Sequence, residues 1–475
     1  MNPAHPPFVK KFDFRGVYGK DLLDTDAYYL ALAFKELFPL RTILLGWDTR
    51  VSSKTLALNF MQALKDTDIK ISYLDRVPID YVTAAADVKD FDLSIMFTGS
   101  HNTWEWTGLL IHTKGGDSLQ GELVEKVVEK YNEVKSAEYV EPDIDLSQYT
   151  DLLPEIEKIY TEKIKSIIPV AEIRPLTVAV DIGDGSGSKS LSILEKLLPQ
   201  VTFTRVNDRE LYDADTPHQA DPSEIEHMQQ LIDTVKTKSL HCGFAFDSDA
   251  DRVLAIDEKG GYINGSLYAG ALVDVMSILN CKLDAVGYAV EIGPAFYNTV
   301  ADLNISVDKK IKISPIPVGR SIVRQLVRED SVDLGIENVG HFYIYDFFRT
   351  DSGAFALLMM LYWMSLNGKL SKLYTRHPDG QRAQGSVPLS DENETKIHTL
   401  VNEIKNHFAT NEVRLIDVDG VRLEIYNGGK MQSWCAVRKS GYEKKEKYYF
   451  GSTDPSDFEY LTEQFNLFAN SSRSA

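Results

Sequence analysis

Apolar residues along this chain fall in short runs that alternate with amphipathic stretches. Thr42–Gly46 (TILLG), Phe91–Phe97 (FDLSIMF), Leu176–Ile182 (LTVAVDI), Gly243–Phe246 (GFAF) and Val253–Ile256 are compact and apolar, which predicts strands. Ser190–Leu198 spaces its apolar residues at helical intervals and predicts a helix after the glycine-rich loop Gly183-Asp-Gly-Ser-Gly187. Strands alternating with helices predict α/β units with mixed or largely parallel sheets. The longest apolar stretch, around Ala354–Met364, falls short of the roughly 18–20 residues that span a bilayer and predicts a buried helix. Breaker-rich segments predict a linker at Glu141–Pro154, a turn at Lys259-Gly-Gly261, and a boundary before a C-terminal unit at Thr375–Gly385. No internal repeat is visible in the sequence.

Length and charge narrow the function. At roughly 150 residues per domain, 475 residues suggest about three domains. A net charge of −19 argues against a nucleic-acid partner, whose phosphates need a basic surface. Any anionic substrate must therefore be held by local basic groups. The first residues, MNPAHPPFVKKF, lack the apolar centre of a secretory signal. With no membrane-spanning run, a cytoplasmic protein is expected. Cys242, Cys281 and Cys435 are too scattered for a metal site or a disulfide framework and are expected to be buried as small apolar residues.

The densest chemistry is Asp247-Ser-Asp249-Ala-Asp251-Arg252. In an extended segment, alternate residues point to one side. Three carboxylates converging there repel one another unless a divalent cation lies between them, and oxygen-only ligands suit Mg²⁺. A solvated acidic turn is the plain alternative. An EF-hand would place Glu258 at its twelfth position but needs glycine at the sixth, where Arg252 stands. A phosphatase loop with a nucleophilic first aspartate is a third reading. Separately, Thr98-Gly99-Ser100-His101-Asn102 follows a predicted strand, and a serine presented there can be a nucleophile or a phosphate carrier.

Together these loops resemble those of the α-D-phosphohexomutase family, the phosphoglucomutases and phosphomannomutases. Phe12-Asp-Phe-Arg15-Gly16 resembles its N-terminal loop, and Gly46-Trp-Asp48-Thr-Arg50-Val-Ser52-Ser53 its G-x-D-x-R-x-S-S. Thr98–Asn102 resembles the phosphoserine loop and Asp247–Arg252 the metal loop. Gly335–His341 (GIENVGH) resembles the sugar loop, and Arg438-Lys-Ser440-Gly441 the C-terminal phosphate site. The resemblance implies three α/β domains with mixed sheets and a smaller C-terminal α+β domain around a central cleft, one domain more than length suggests. The expected limits are residues 1–150, 151–258, 259–374 and 375–475. It further implies a mutase that interconverts hexose 1-phosphate and hexose 6-phosphate through phosphorylated Ser100 and a bisphosphorylated sugar. Mg²⁺ would be held by Ser100, Asp247, Asp249 and Asp251, with hexose 1,6-bisphosphate as primer. Ser100, His101, Arg15 and Arg252 would serve catalysis; Glu337, Asn338, His341, Arg438, Ser440 and Gly441 would bind a small sugar phosphate. A monomer or homodimer is expected, with no nucleic acid and no membrane. A catalytically impaired sugar-phosphate binder and a phosphatase are the alternatives.

Four positions depart from the family pattern. Leu110 stands where the family has a candidate acid/base lysine, for which Lys20, Lys114 and His101 are possible substitutes. Val339 replaces a serine of the sugar loop, with Asn338 beside it, and Tyr442 replaces a threonine of the phosphate site. Ser248 replaces a glycine of the metal loop, a mild change if its φ is below zero.

Overall fold

The computed structural model describes residues 5–10, 13–306, 310–440 and 444–473. The first sheet contains β1 (Phe14–Val17), β2 (Thr42–Trp47), β3 (Lys70–Arg76), β4 (Leu93–Phe97), β5 (Trp106–Thr113) and β6 (Thr150–Asp151), in spatial order β1-β5-β4-β2-β3-β6. The second contains β7 (Leu176–Asp181), β8 (Val201–Val206), β9 (Cys242–Phe246), β10 (Val253–Asp257) and β11 (Tyr262–Ile263), ordered β11-β10-β9-β7-β8. The third contains β12 (Ala285–Tyr288), β13 (Lys312–Pro315), β14 (Leu334–Ile336), β15 (Phe342–Ile344) and β16 (Thr350–Asp351), ordered β13-β12-β14-β15-β16. The fourth is wholly antiparallel: β17 (Gln381–Pro388), β18 (Glu412–Asp417), β19 (Val421–Asn427), β20 (Lys430–Lys439) and β21 (Lys445–Ser452), ordered β17-β21-β20-β19-β18.

The predicted strands and the Gly187–Leu197 helix are present with ends shifted by a residue or a few. The linker expected at Glu141–Pro154 is partly structured: Thr150–Asp151 pairs with Ser72–Tyr73 and extends the first sheet. The Thr375–Gly385 stretch likewise runs into β17, because strand pairing with β21 satisfies its backbone despite the breakers.

A repeat invisible in the sequence organises the first three sheets. In each, a central strand (β2, β7 or β12) is flanked by two parallel neighbours, and a fourth strand returns antiparallel beside the third. The shared requirement is an apolar pattern rather than particular side chains, so sequence identity does not reveal it. The loop from third to fourth strand leaves the carboxyl end of a parallel strand each time, the edge where α/β sheets bind ligands. Those loops are 98–105, 247–252 and 337–341, which carry the serine, the aspartates and Glu337.

The Gly353–Asn367 helix explains the long apolar run: it is buried from Gly353 to Met364 and packs against helices Gly265–Ile278 and Gly187–Leu197. One apolar core thereby links all four sheets, reaching the fourth through Tyr426, Met431, Trp434 and Ala436. The other faces of the first and fourth sheets have separate cores. Cys242, Cys281 and Cys435 are buried thiols. The fourth sheet docks on the third through Asn298, whose Nδ2 donates to the Met431 carbonyl at 3.1 Å and whose Oδ1 accepts from Met431 N at 3.1 Å. Among the described residues, no helix is long and apolar enough to cross a membrane.

Candidate active site

Ser100 sits on the β4–β5 loop with φ at 49°, a left-handed conformation that costs a non-glycine residue on the order of 1–3 kcal/mol. The surroundings fix it there. Its N–H donates to Thr98 Oγ1 at 2.8 Å, and Thr98 Oγ1 donates to Asp249 Oδ2 at 3.1 Å. Its carbonyl accepts from Arg50 Nη2 at 2.8 Å and from Ser248 Oγ at 2.6 Å. Arg50 also donates to the Asn102 carbonyl at 2.7 Å and pairs with buried Asp48. Gly99 is required beside it, since a Cβ would meet the Trp106 carbonyl oxygen at 2.4 Å.

The aspartates converge by a different route from the extended segment expected. Residues 247–252 form a turn between β9 and β10, with Ala250 at φ 56°. Antiparallel return of β10 requires a reversal here, and the turn, not strand alternation, gathers the carboxylates. The positive φ falls on Ala250 and not on Ser248, so serine in place of glycine is unstrained, and its hydroxyl reaches the Ser100 carbonyl. Gly185 admits this loop, because a Cβ there would meet Ser248 O at 2.5 Å.

Asp247, Asp249 and Asp251 are buried, and one oxygen of each lies within 4.8 Å of the others. Asp247 Oδ2, Asp249 Oδ1 and Asp251 Oδ1 have no hydrogen-bond partner. Burial, reinforced by neighbouring carboxylates, raises Asp247 well above the usual carboxylate range, Asp249 to about 7 and Asp251 to about 6. Three dry, unpartnered oxygens in one place are a donor set that fits Mg²⁺.

A cavity of about 580 Å³ opens beside these loops. Ser100, His101, Arg15, Asp251, Arg252, Glu337, Asn338, His341, Arg438 and Ser440 all line it. Arg252 joins three loops: its Nη2 lies 2.9 Å from His101 Nδ1, its Nε donates to His341 Nε2 at 3.0 Å, and its N–H donates to Asp247 Oδ1 at 3.1 Å. Burial and then the Arg252 charge hold His101 well below the ordinary imidazole pKa. His101 Nδ1 lies 3.3 Å from Ser100 Oγ. Arg15 pairs with Asp13 at 2.8 Å.

On the third-sheet side, Glu337 Oε1 accepts from Gly319 N at 2.9 Å, and burial raises its pKa. Asn338, beside Val339, turns its oxygen to Arg382 Nη1 at 3.0 Å. Arg438 Nε donates to Asp419 Oδ2 at 2.7 Å. Lys447 lies opposite both Arg438 and Ser386 in the sheet register, which puts all three on one face. Gly441 and Tyr442 lie outside the described residues. Lys114, a candidate substitute for the lysine at Leu110, is mostly exposed, pairs with Asp90 at 3.0 Å and lies outside the cavity wall. Lys20 is exposed and outside the cavity wall, whereas Leu110 is within it.

The sequence reading missed the bracketing by Arg50, although it quoted the motif, and the hydroxyl contact of Ser248. Arg320, expected in the cleft beside His341, lines it and donates to Asp251 Oδ2 at 3.1 Å and Asp351 Oδ1 at 2.9 Å; Glu291, for which no sequence signal existed, was missed.

Comparison with known proteins follows this geometry. Sequence models of phosphoglucomutase/phosphomannomutase α/β/α domains I, II and III match residues 8–138, 158–261 and 298–380. A phosphomannomutase of Methanocaldococcus jannaschii is 25% identical over 91% of both chains. A phosphoglucosamine mutase of Nautilia profundicola is 26% identical over 79% of this chain and 85% of its own. The crystal structure of a phosphoglucomutase/phosphomannomutase family protein from Burkholderia thailandensis superposes with a TM-score of 0.78, at 21% identity, over 98% of each chain. With three domain models matched in order across most of its length, the chain belongs to the phosphoglucomutase/phosphomannomutase family.

Proposed function

We propose that this chain interconverts hexose 1-phosphate and hexose 6-phosphate through a phosphorylated Ser100. It is a phosphohexomutase, an intramolecular phosphotransferase. The observation that carries the serine mechanism is the position of Ser100: a left-handed backbone, tied to the aspartate loop through Thr98, Ser248 and Arg50, on the wall of a cavity that Arg438 of the fourth sheet also lines.

Asp247, Asp249, Asp251 and the phosphorylated Ser100 would hold Mg²⁺. Bound there, the cation draws charge from the transferring phosphoryl group. Arg15 and Arg252 face the same group and offset its charge. The Ser100 Oγ–P bond breaks as a bond forms from phosphorus to the sugar oxygen, and the hydroxyl proton leaves to a base in the cleft. The bisphosphorylated sugar turns around, and its other phosphoryl group returns to Ser100. Arg438, Ser440 and Gly441 anchor the phosphate that is not transferring. Glu337 and His341 hold the sugar between the two ends. Domain limits near 150, 258 and 374 accompany this reading.

The test is a mutase assay with Mg²⁺ and a trace of hexose 1,6-bisphosphate. A 6-phosphate product from a hexose 1-phosphate, absent in Ser100→Ala and accompanied by phosphate on Ser100 in mass spectra, supports the proposal. Release of inorganic phosphate alone would replace it with the phosphatase reading.

A further inference from the structure

Glu291 is a cleft-lining acid to which the phosphotransfer scheme gives no task. It follows β12, and Glu337 follows β14, so both leave the carboxyl ends of adjacent parallel strands and reach the same cavity. Its backbone is fixed from the fourth sheet. Arg382 Nη2 donates to the Glu291 carbonyl at 2.9 Å, and Arg422 donates to the carbonyls of Val290 and Ile292, the latter at 2.8 Å. The side chain is only 6% exposed, yet its Oε2 has no hydrogen-bond partner.

The cations around it are committed elsewhere. Arg438 donates to Asp419 Oδ2 at 2.7 Å, and Arg382 donates to Asn338 Oδ1 at 3.0 Å. Burial raises the Glu291 pKa, and the pull of Arg438 only partly offsets it. A buried carboxylate oxygen without a donor is costly. Next to a phosphate anchor it is also counterproductive for a ligand that brings only negative charge and neutral hydroxyls.

Resting on the mutase reading above, we infer that Glu291 is a specificity-determining residue that receives the ammonium group of a 2-amino-2-deoxyhexose phosphate. The carbon that bears the amino group adjoins the carbon that bears the 1-phosphate. With that phosphate on Arg438, the ammonium lies at the same end of the cleft as Glu291. When the sugar turns around, the amino group moves toward Ser100, so Glu291 favours one of the two orientations. A hydrogen bond between two charged partners is the strong kind, and the ammonium replaces the missing donor.

Titration calorimetry on the full-length, dephosphorylated protein with Mg²⁺ tests this, using glucosamine 1-phosphate, glucose 1-phosphate and N-acetylglucosamine 1-phosphate. Glucosamine 1-phosphate is expected to bind about tenfold or more tightly than the other two, as one charge-assisted hydrogen bond implies. In Glu291→Gln that ratio should fall toward one. Equal affinities in the parent protein, or an unchanged ratio in the variant, would overturn the inference, and the parent ratio decides even if the variant folds poorly. Turnover measured in parallel separates the two claims. Turnover without an amino-sugar preference removes the role of Glu291 alone, whereas preference without turnover of any sugar removes the mutase reading and keeps it.

Discussion

Arg50 holds the carbonyl oxygen of Ser100 at 2.8 Å from beneath, while its other nitrogen reaches Ser248 Oγ at 2.9 Å. One guanidinium thus sets the distance between the serine loop and the aspartate loop. A lysine keeps the charge opposite Asp48 but cannot make these bonds at once. Arg50→Lys is expected to lower kcat by about 10²-fold, the scale of a misplaced reacting group, while KM changes little. Circular dichroism would establish that the variant is folded; unchanged kcat would show that the bracket is dispensable.

Much of this arrangement was legible in the residues. Asp247, Asp249 and Asp251 were readable as a cation site because three carboxylates so close together repel one another unless a cation lies between them. The strands at Thr42, Leu93, Leu176 and Cys242 were readable because burial on both faces demands continuous apolar runs. The route by which the aspartates meet was not, since a left-handed Ala250 leaves no mark in composition. Glu291 was illegible for a different reason: it is brought to the cleft by strand order, and register between distant segments is not a local property.

Removing the cation should expose the repulsion among the aspartates. Their ordinary pKa is about 3.9. The folded values of about 7 for Asp249 and about 6 for Asp251 mean that the folded protein holds protons that the unfolded chain has lost. Stability in chelator therefore falls as pH rises from about 4 through about 7. Excess Mg²⁺ should restore it at pH 8, by about 2.7 kcal/mol at a hundredfold excess over Kd. Asp249→Asn should reverse the pattern, melting higher than the parent in chelator and gaining less from Mg²⁺. Thermal melts at pH 5 and pH 8, with and without the metal, read both effects; a parent insensitive to Mg²⁺ would sink the site.

Asp80 provides a second pH signal next to the aspartate loop, where the neighbouring Ile79 N–H donates to the Asp249 carbonyl at 3.1 Å. It is buried where three parts of the chain meet, accepting from Tyr160 Oη at 2.7 Å and from Ser352 Oγ. Burial raises it to about 7. With a folded pKa above the unfolded one, its contribution is greatest below about pH 4 and is lost as pH rises through about 7. Asp80→Asn, measured at saturating Mg²⁺, should gain on the parent by about 1–3 kcal/mol between pH 5 and pH 8 in urea unfolding. Parallel profiles for the two proteins would show that Asp80 is already ionised in the fold.

His101 is placed to orient rather than to take a proton. Arginine only donates, so the 2.9 Å approach of Arg252 Nη2 makes His101 Nδ1 the acceptor and puts the ring proton on Nε2. The same lone pair faces Ser100 Oγ at a longer 3.3 Å and is largely occupied. In the proposed mechanism, the task left to the ring is holding Arg252 toward the phosphoryl group. An asparagine can offer a carbonyl oxygen to that guanidinium, whereas leucine cannot. His101→Asn is therefore expected to lose less than about 10² in kcat, and His101→Leu distinctly more, with neither variant losing a limb of the pH–rate profile. A general base removed from the transition state costs typically ~10²–10⁴ whichever residue replaces it. Equal losses of that size in both variants, together with a vanished limb, would return His101 to the role of proton carrier.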